Sequence, residues 1–146
     1  MFTKLLLVLA AIGALAGTAR AETAPNVLAQ AGLLGRWADD CSQPAGGANT
    51  HTIYAIDAEG RATLTYDSGP QYLQTSYTIP TATRIARDRV LYEHVNRRTG
   101  ELLTVVLVVT PTHIRVWSSR VSTGKVLVAN GKFASGAASP LQRRCN

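Results

Sequence analysis

The sequence predicts an all-β fold: an antiparallel up-and-down meander of about eight strands, a closed or nearly closed barrel, with a short N-terminal helix. Three observations carry that prediction. Apolar and polar residues alternate with period two over most of the chain, Gly, Pro, Asn and Asp punctuate it at short intervals, and the links between alternating runs are too short for crossover helices. A β-sandwich is the second architecture compatible with the same pattern.

Each element has its own justification. Val27 to Leu34 has helical spacing and room for one or two turns, which places an N-terminal arm and short helix over residues 22–34. From Gly35 the period changes, and residues 35–146 form a single β domain. Arg61 to Asp67 is the clearest strand, with Ala62, Leu64 and Tyr66 on one face and Arg61, Thr63, Thr65 and Asp67 on the other. Noisier alternation marks His51 to Ile56, Gln71 to Ile79, Thr83 to Arg87 and Val90 to Val95. Leu102 to Val109 is apolar on both faces, and its valines favour a strand covered on its second side by the N-terminal helix. Ile114 and Val116, against His113, Arg115 and Trp117, define the next strand, followed by Lys125 to Ala129. Ala134 to Ser139 reads as a loop before the last strand. The strongest turn signal is Asn130-Gly131, because both central residues of a type I′ turn need positive φ.

Composition narrows the functional classes. The chain has 146 residues, 46% of them hydrophobic and 16% charged, which suits one small globular domain and neither a disordered tail nor a polytopic membrane protein. Its opening segment reads as a cleaved signal peptide over residues 1–21: Lys4, an apolar run from Leu5 to Ala16, then Ala19-Arg20-Ala21 before the cut. Twelve apolar residues span only about 18 Å as a helix, too short for a hydrocarbon core of about 30 Å. The expected location is therefore periplasmic or secreted. After cleavage 13 basic residues face 9 acidic ones, a charge of +4. The arginines are scattered and not interleaved with aromatics, which argues against nucleic acid and leaves at most weak contact with an anionic membrane surface.

Cys41 and Cys145 are the two cysteines. In an exported chain they most simply form one disulfide, closing a loop of about 100 residues. They lack the C-x-x-C spacing of a redox or metal pair.

No catalytic, cofactor or metal site is legible. His51, His94 and His113 are the only imidazoles, 43 and 19 residues apart, with none of the short spacings of a zinc site. Neither Gly-x-Ser-x-Gly nor His-Glu-x-x-His occurs, and no Gly-rich loop with a following Lys suggests phosphate binding. Glu93 and His94 are neighbours on a strand and so face opposite sides. Asp39-Asp40 suits a turn that accepts backbone hydrogen bonds. Tyr54, Tyr66, Tyr72, Tyr77 and Tyr92 suit half-buried strands, and some could line a pocket for an amphipathic ligand, although none is singled out.

Gly35-Arg36-Trp37, at the start of the first strand and just after a short helix, resembles the signature of the lipocalins and the wider calycin group. The resemblance implies that Gly35 and Trp37 close one end of the barrel and that an Arg near the last strand, Arg143 or Arg144, packs across the indole. The signal peptide, the strand meander and the lack of catalytic motifs set the expected function as non-enzymatic: binding a small apolar ligand or an envelope component. The same segment is similar to that of small periplasmic inhibitors of metalloproteases, which implies an alternative in which Glu22 to Asn26 is a free arm that blocks a hydrolase cleft.

Overall fold

The computed structural model describes residues 22–146; the expected signal peptide, residues 1–21, lies outside them. Helix α1 spans Ala24–Gln30. It begins earlier than the periodicity predicts because Pro25, with its φ already fixed, starts the first turn. It stops at Gly32, whose φ of +69° is left-handed. Gly32 N–H bonds to Ala29 O at 3.0 Å and Leu33 N–H to Leu28 O at 2.9 Å, a Schellman ending that satisfies the last carbonyls and drives Leu33 into the core.

Eleven strands follow: β1 (Gly35–Ala38), β2 (His51–Ile56), β3 (Ala62–Asp67), β4 (Thr75–Thr78), β5 (Thr81–Ala86), β6 (Arg89–Val95), β7 (Leu102–Val109), β8 (His113–Val121), β9 (Val126–Ala129), β10 (Lys132–Phe133) and β11 (Leu141–Cys145). All pair antiparallel in one strongly curled half-barrel, in the order β4-β3-β2-β1-β11-β8-β7-β6-β5. The all-β meander is thus the observed class. One departure is topological, since β11 inserts between β1 and β8 and joins the two runs of the meander. The other is the β9–β10 hairpin hung on β8, whose turn residues Asn130 and Gly131 have φ of 51° and 71°.

The ends of the strand order, β4 and β5, are consecutive in the chain and separated only by Ile79 and Pro80. Pro80 has no N–H to offer a ladder, β4 is four residues long, and β5 carries a register shift between Arg84 and Ala86. All three devices blunt an edge against pairing with another chain.

Among the described residues sixteen buried apolar side chains form the core, with Trp37, Tyr92, Leu28, Leu33, Leu64, Ile79 and Leu107 the largest. Helix α1 packs mainly against β5, β3 and β6. It therefore plugs the end of the half-barrel rather than covering β7, as the apolar run 102–109 suggested. Val105, Leu107 and Val109 of β7 face the core, whereas Thr104, Val106 and Val108 stay half-buried on the outer face. On β8 the pairing steps from Leu107↔Val116 to Val106↔Ser118, leaving Trp117 as the extra residue of a bulge. Trp117 turns outward there, beneath the Arg89 guanidinium at 4.6 Å.

Candidate functional site

The end of the half-barrel beside α1 is sealed by Trp37. Its ring is fully buried and its Nε1–H donates to Leu33 O at 2.8 Å. Of the two arginines considered for the stack, Arg144 takes the position and Arg143 does not. The Arg144 guanidinium lies 5.1 Å from the indole centroid and donates to Gly32 O at 2.6 Å and Leu34 O at 2.8 Å. Register explains the choice: Trp37 sits directly opposite Arg144, hence on the same face, while Arg143 sits opposite Ala38. Gly35, with φ of +128°, adopts a backbone that a side chain would strain, and a Cβ there would touch Arg144 Nη2 at 3.6 Å. Close by, Cys41 and Cys145 form the disulfide, which implies an oxidising, extracytoplasmic environment.

Toward the other end, the inner face becomes aromatic and polar. Tyr54, Tyr66, Tyr77, Tyr92 and His94 come together from β2, β3, β4 and β6, with the Tyr54 and Tyr92 hydroxyls 3.1 Å apart. Burial raises the pKa of Tyr54 and Tyr92 far above the ordinary phenol value and pushes Tyr66 up to about 12. These phenols stay protonated at neutral pH, so they can donate hydrogen bonds but cannot act as bases. His94 is buried 4.7 Å from the Tyr77 ring, and its Nδ1 has no hydrogen-bond partner.

Burial lowers the His94 pKa against a smaller opposing effect of the Val95 backbone. The native ring therefore binds its proton less readily than a histidine in the unfolded chain. Since the unfolded state then carries more protons, stability is expected to fall as pH drops below about 6.5. Urea midpoints at several pH values between neutral and mildly acid will show this slope in the parent chain and a flatter one in His94→Phe. Equal slopes in the two proteins would rule out His94 as its source.

The other histidines are engaged separately. Asn49 Nδ2 donates to His51 Nε2 at 3.2 Å, and His113 Nδ1 meets Thr112 Oγ1 at 2.8 Å. Glu93 points away from His94 and accepts from Thr81 Oγ1 at 3.0 Å. The Asp40 carboxyl is held below its usual range by hydrogen bonds from the Ser42 hydroxyl and N–H. Among the described residues no group of three His, Cys, Asp or Glu side chains is placed to hold a metal ion.

Between the β2–β3 wall and the β7, β8 and β11 wall lies a partly open cavity of about 220 Å3. Thr52, Tyr54, Tyr66, Leu107, Ile114 and Val116 line it, and Gln142 bridges its rim by donating from Nε2 to Thr50 O at 3.1 Å. Arg115 also borders it, but its guanidinium is held by Ser139 Oγ at 3.1 Å and Gly131 O at 3.0 Å, and its pairing partner Leu141 is exposed. Two of these residues, Tyr54 and Tyr66, are among the five tyrosines of the chain, which nothing in the sequence ranks. Thr52 and Gln142 carry no signal in isolation, since only the insertion of β11 near β2 brings them together.

The segment Glu22 to Asn26, expected as a free arm, is exposed at Glu22 and Thr23, but Ala24 is buried and Pro25 and Asn26 belong to α1. No family profile, curated protein or solved structure matches the chain.

Proposed function

We propose that this chain is an exported, non-enzymatic binding protein, periplasmic or secreted, that holds one small, uncharged and largely apolar ligand in the cavity between β2–β3 and β7–β8–β11. The cavity carries the reading. Its wall is formed mainly by Tyr54, Leu107, Ile114 and Val116, with hydroxyl and amide groups of Thr52, Tyr66 and Gln142 available to orient a polar tip. At about 220 Å3 it exceeds the roughly 150 Å3 that holds benzene and falls short of the roughly 300 Å3 at which drug-sized pockets begin. A substituted ring or a short chain fits these limits; a full-length acyl lipid does not.

The Trp37–Arg144 stack beside α1 supports the lipocalin-like reading, and the disulfide together with the leader-like residues 1–21 supports export. The arm-based inhibitor reading gains nothing comparable, because Ala24 to Asn26 would have to leave the helix and the core to enter a cleft.

Native mass spectrometry of the chain purified from cells that export it is the direct test. The expected result is an added small mass that disappears on denaturation and is absent from Val116→Phe, whose ring would fill the cavity. Titration with indole or benzyl alcohol should move the amide resonances of Thr52 and Gln142 in the parent and leave those of Val116→Phe in place. An apo mass together with no saturable shift for either compound would overturn the reading.

A further inference from the structure

A second cleft, of about 580 Å3, lies at the α1 end of the half-barrel, between the last residues of α1, the β5–β6 turn, the β7–β8 turn and Arg144 of β11. Its charged lining is Arg84, Arg87 and Arg144 against the single carboxylate of Asp88. Among the described residues none of the three arginines is in an ion pair. Among the described residues the ion pairs are those of Arg61 with Asp57 at 2.8 Å and Glu59 at 3.0 Å, elsewhere on the surface.

Two of the three guanidiniums are nonetheless oriented. Arg84 donates from Nη2 to Arg87 O, and Arg144 donates to Gly32 O and Leu34 O while lying over Trp37. Neutral carbonyls fix these side chains without cancelling their charge, which leaves further N–H groups on each fork free to bond. Most carbonyls at the end of α1, which would repel an anion, are occupied: Val27, Leu28 and Ala29 accept from Ala31, Leu33 and Gly32, and Arg144 takes Gly32 and Leu34, which leaves those of Gln30 and Ala31 for the arginines to outweigh.

We propose that this cleft binds a phosphate-bearing ligand, with Arg84, Arg87 and Arg144 clasping the phosphate oxygens and the remaining volume taking the group attached to them. Guanidinium forks match the oxygen geometry of phosphate and hold it by charge-assisted hydrogen bonds. An excess of three cations over one carboxylate suits a dianion better than a single carboxylate. The cleft is separate from the cavity between β2–β3 and β7–β8–β11, so the two proposals stand or fall independently.

The experiment uses the chain with its disulfide intact, pyrophosphate as the soluble probe, and vesicles of phosphatidylcholine with or without phosphatidic acid. Arg84→Gln/Arg87→Gln is compared with Arg97→Gln/Arg98→Gln, which removes the same charge from the β6–β7 turn at the opposite end. All four side chains are exposed, and unchanged melting will show that both variants fold. Pyrophosphate should bind saturably by calorimetry, with affinity reduced about tenfold or more in Arg84→Gln/Arg87→Gln and by less than about twofold in the control, the difference expected from losing charge-assisted contacts at one site. Cosedimentation with phosphatidic acid vesicles that depends on Arg84 and Arg87 would identify a lipid headgroup as the source; its absence, with pyrophosphate binding retained, would identify a soluble phosphate compound. No saturable pyrophosphate binding, or equal losses in the two double variants, would overturn the proposal.

Discussion

Reducing the Cys41–Cys145 disulfide, or replacing both cysteines by serine, will lower the stability of the folded chain by up to about 4.7 kcal/mol and its melting temperature by roughly 10 to 20 °C. The bond links residues 104 apart, so the unfolded chain it constrains is close to the full length of the domain. In the chain-entropy account, opening so long a loop restores nearly the largest disorder one bridge can remove. Local structure sharpens the expectation. β11 is five residues long, and its apolar residue Leu141 is 55% exposed, so burial alone anchors it weakly. Its remaining ties are its ladders to β1 and β8, the Arg144 hydrogen bonds and the bridge from Gln142 to Thr50. Urea denaturation with and without reductant will measure the loss. Amide exchange should place the earliest opening at Arg143, Arg144 and their partners on β1. A midpoint unmoved by reduction would mean that the unfolded chain is already compact and that the loop argument fails here.

Trp37→Ala is expected to be the most damaging single substitution in the core, at about 3–5 kcal/mol. The indole is wholly buried, so its removal leaves a cavity between the α1–β1 connection and the inner face of the sheet. Leu33 O loses its donor as well, and Arg144 loses the face on which it lies. Trp37→Phe keeps most of the volume and forfeits the hydrogen bond, and should cost less than half as much. Thermal melts of the two variants beside the parent will rank them. A loss under about 1 kcal/mol for Trp37→Ala would show that the site collapses freely and that the indole does not seal the end of the half-barrel.

The elements most legible in the sequence were those whose pattern is local. β2 and β7 begin and end where alternation and valine content place them, and β3 differs from its expected span by one residue. The Asn130-Gly131 hairpin needed only two residues to announce itself, because few others accept positive φ twice in succession. The alternation over Gln71 to Ile79 predicts one long strand, but only Thr75–Thr78 pairs, since Gly69 N–H bonds to Asp67 Oδ1 and Tyr72 N–H to Gly69 O in a turn that delays entry into the sheet. What depended on distant pairing stayed hidden. The insertion of β11 between β1 and β8 decides that Arg144 and not Arg143 meets Trp37, and it brings Gln142 to the cavity. No pattern within ten residues of either position encodes that neighbour.

The place of β11 also sets an order of events for folding. The run β1 to β4 and the run β5 to β8 can each zip up through neighbouring hairpins, but β11 alone joins β1 to β8 in the strand order. A ribosome must therefore have made nearly all of the described chain before the sheet can be completed, and that final docking closes contacts across about a hundred residues. Such non-local closure is slow compared with helix or hairpin formation. Until it happens, β1 and β8 each present an unpaired edge, so the nascent chain passes through a state that is prone to association if it lingers.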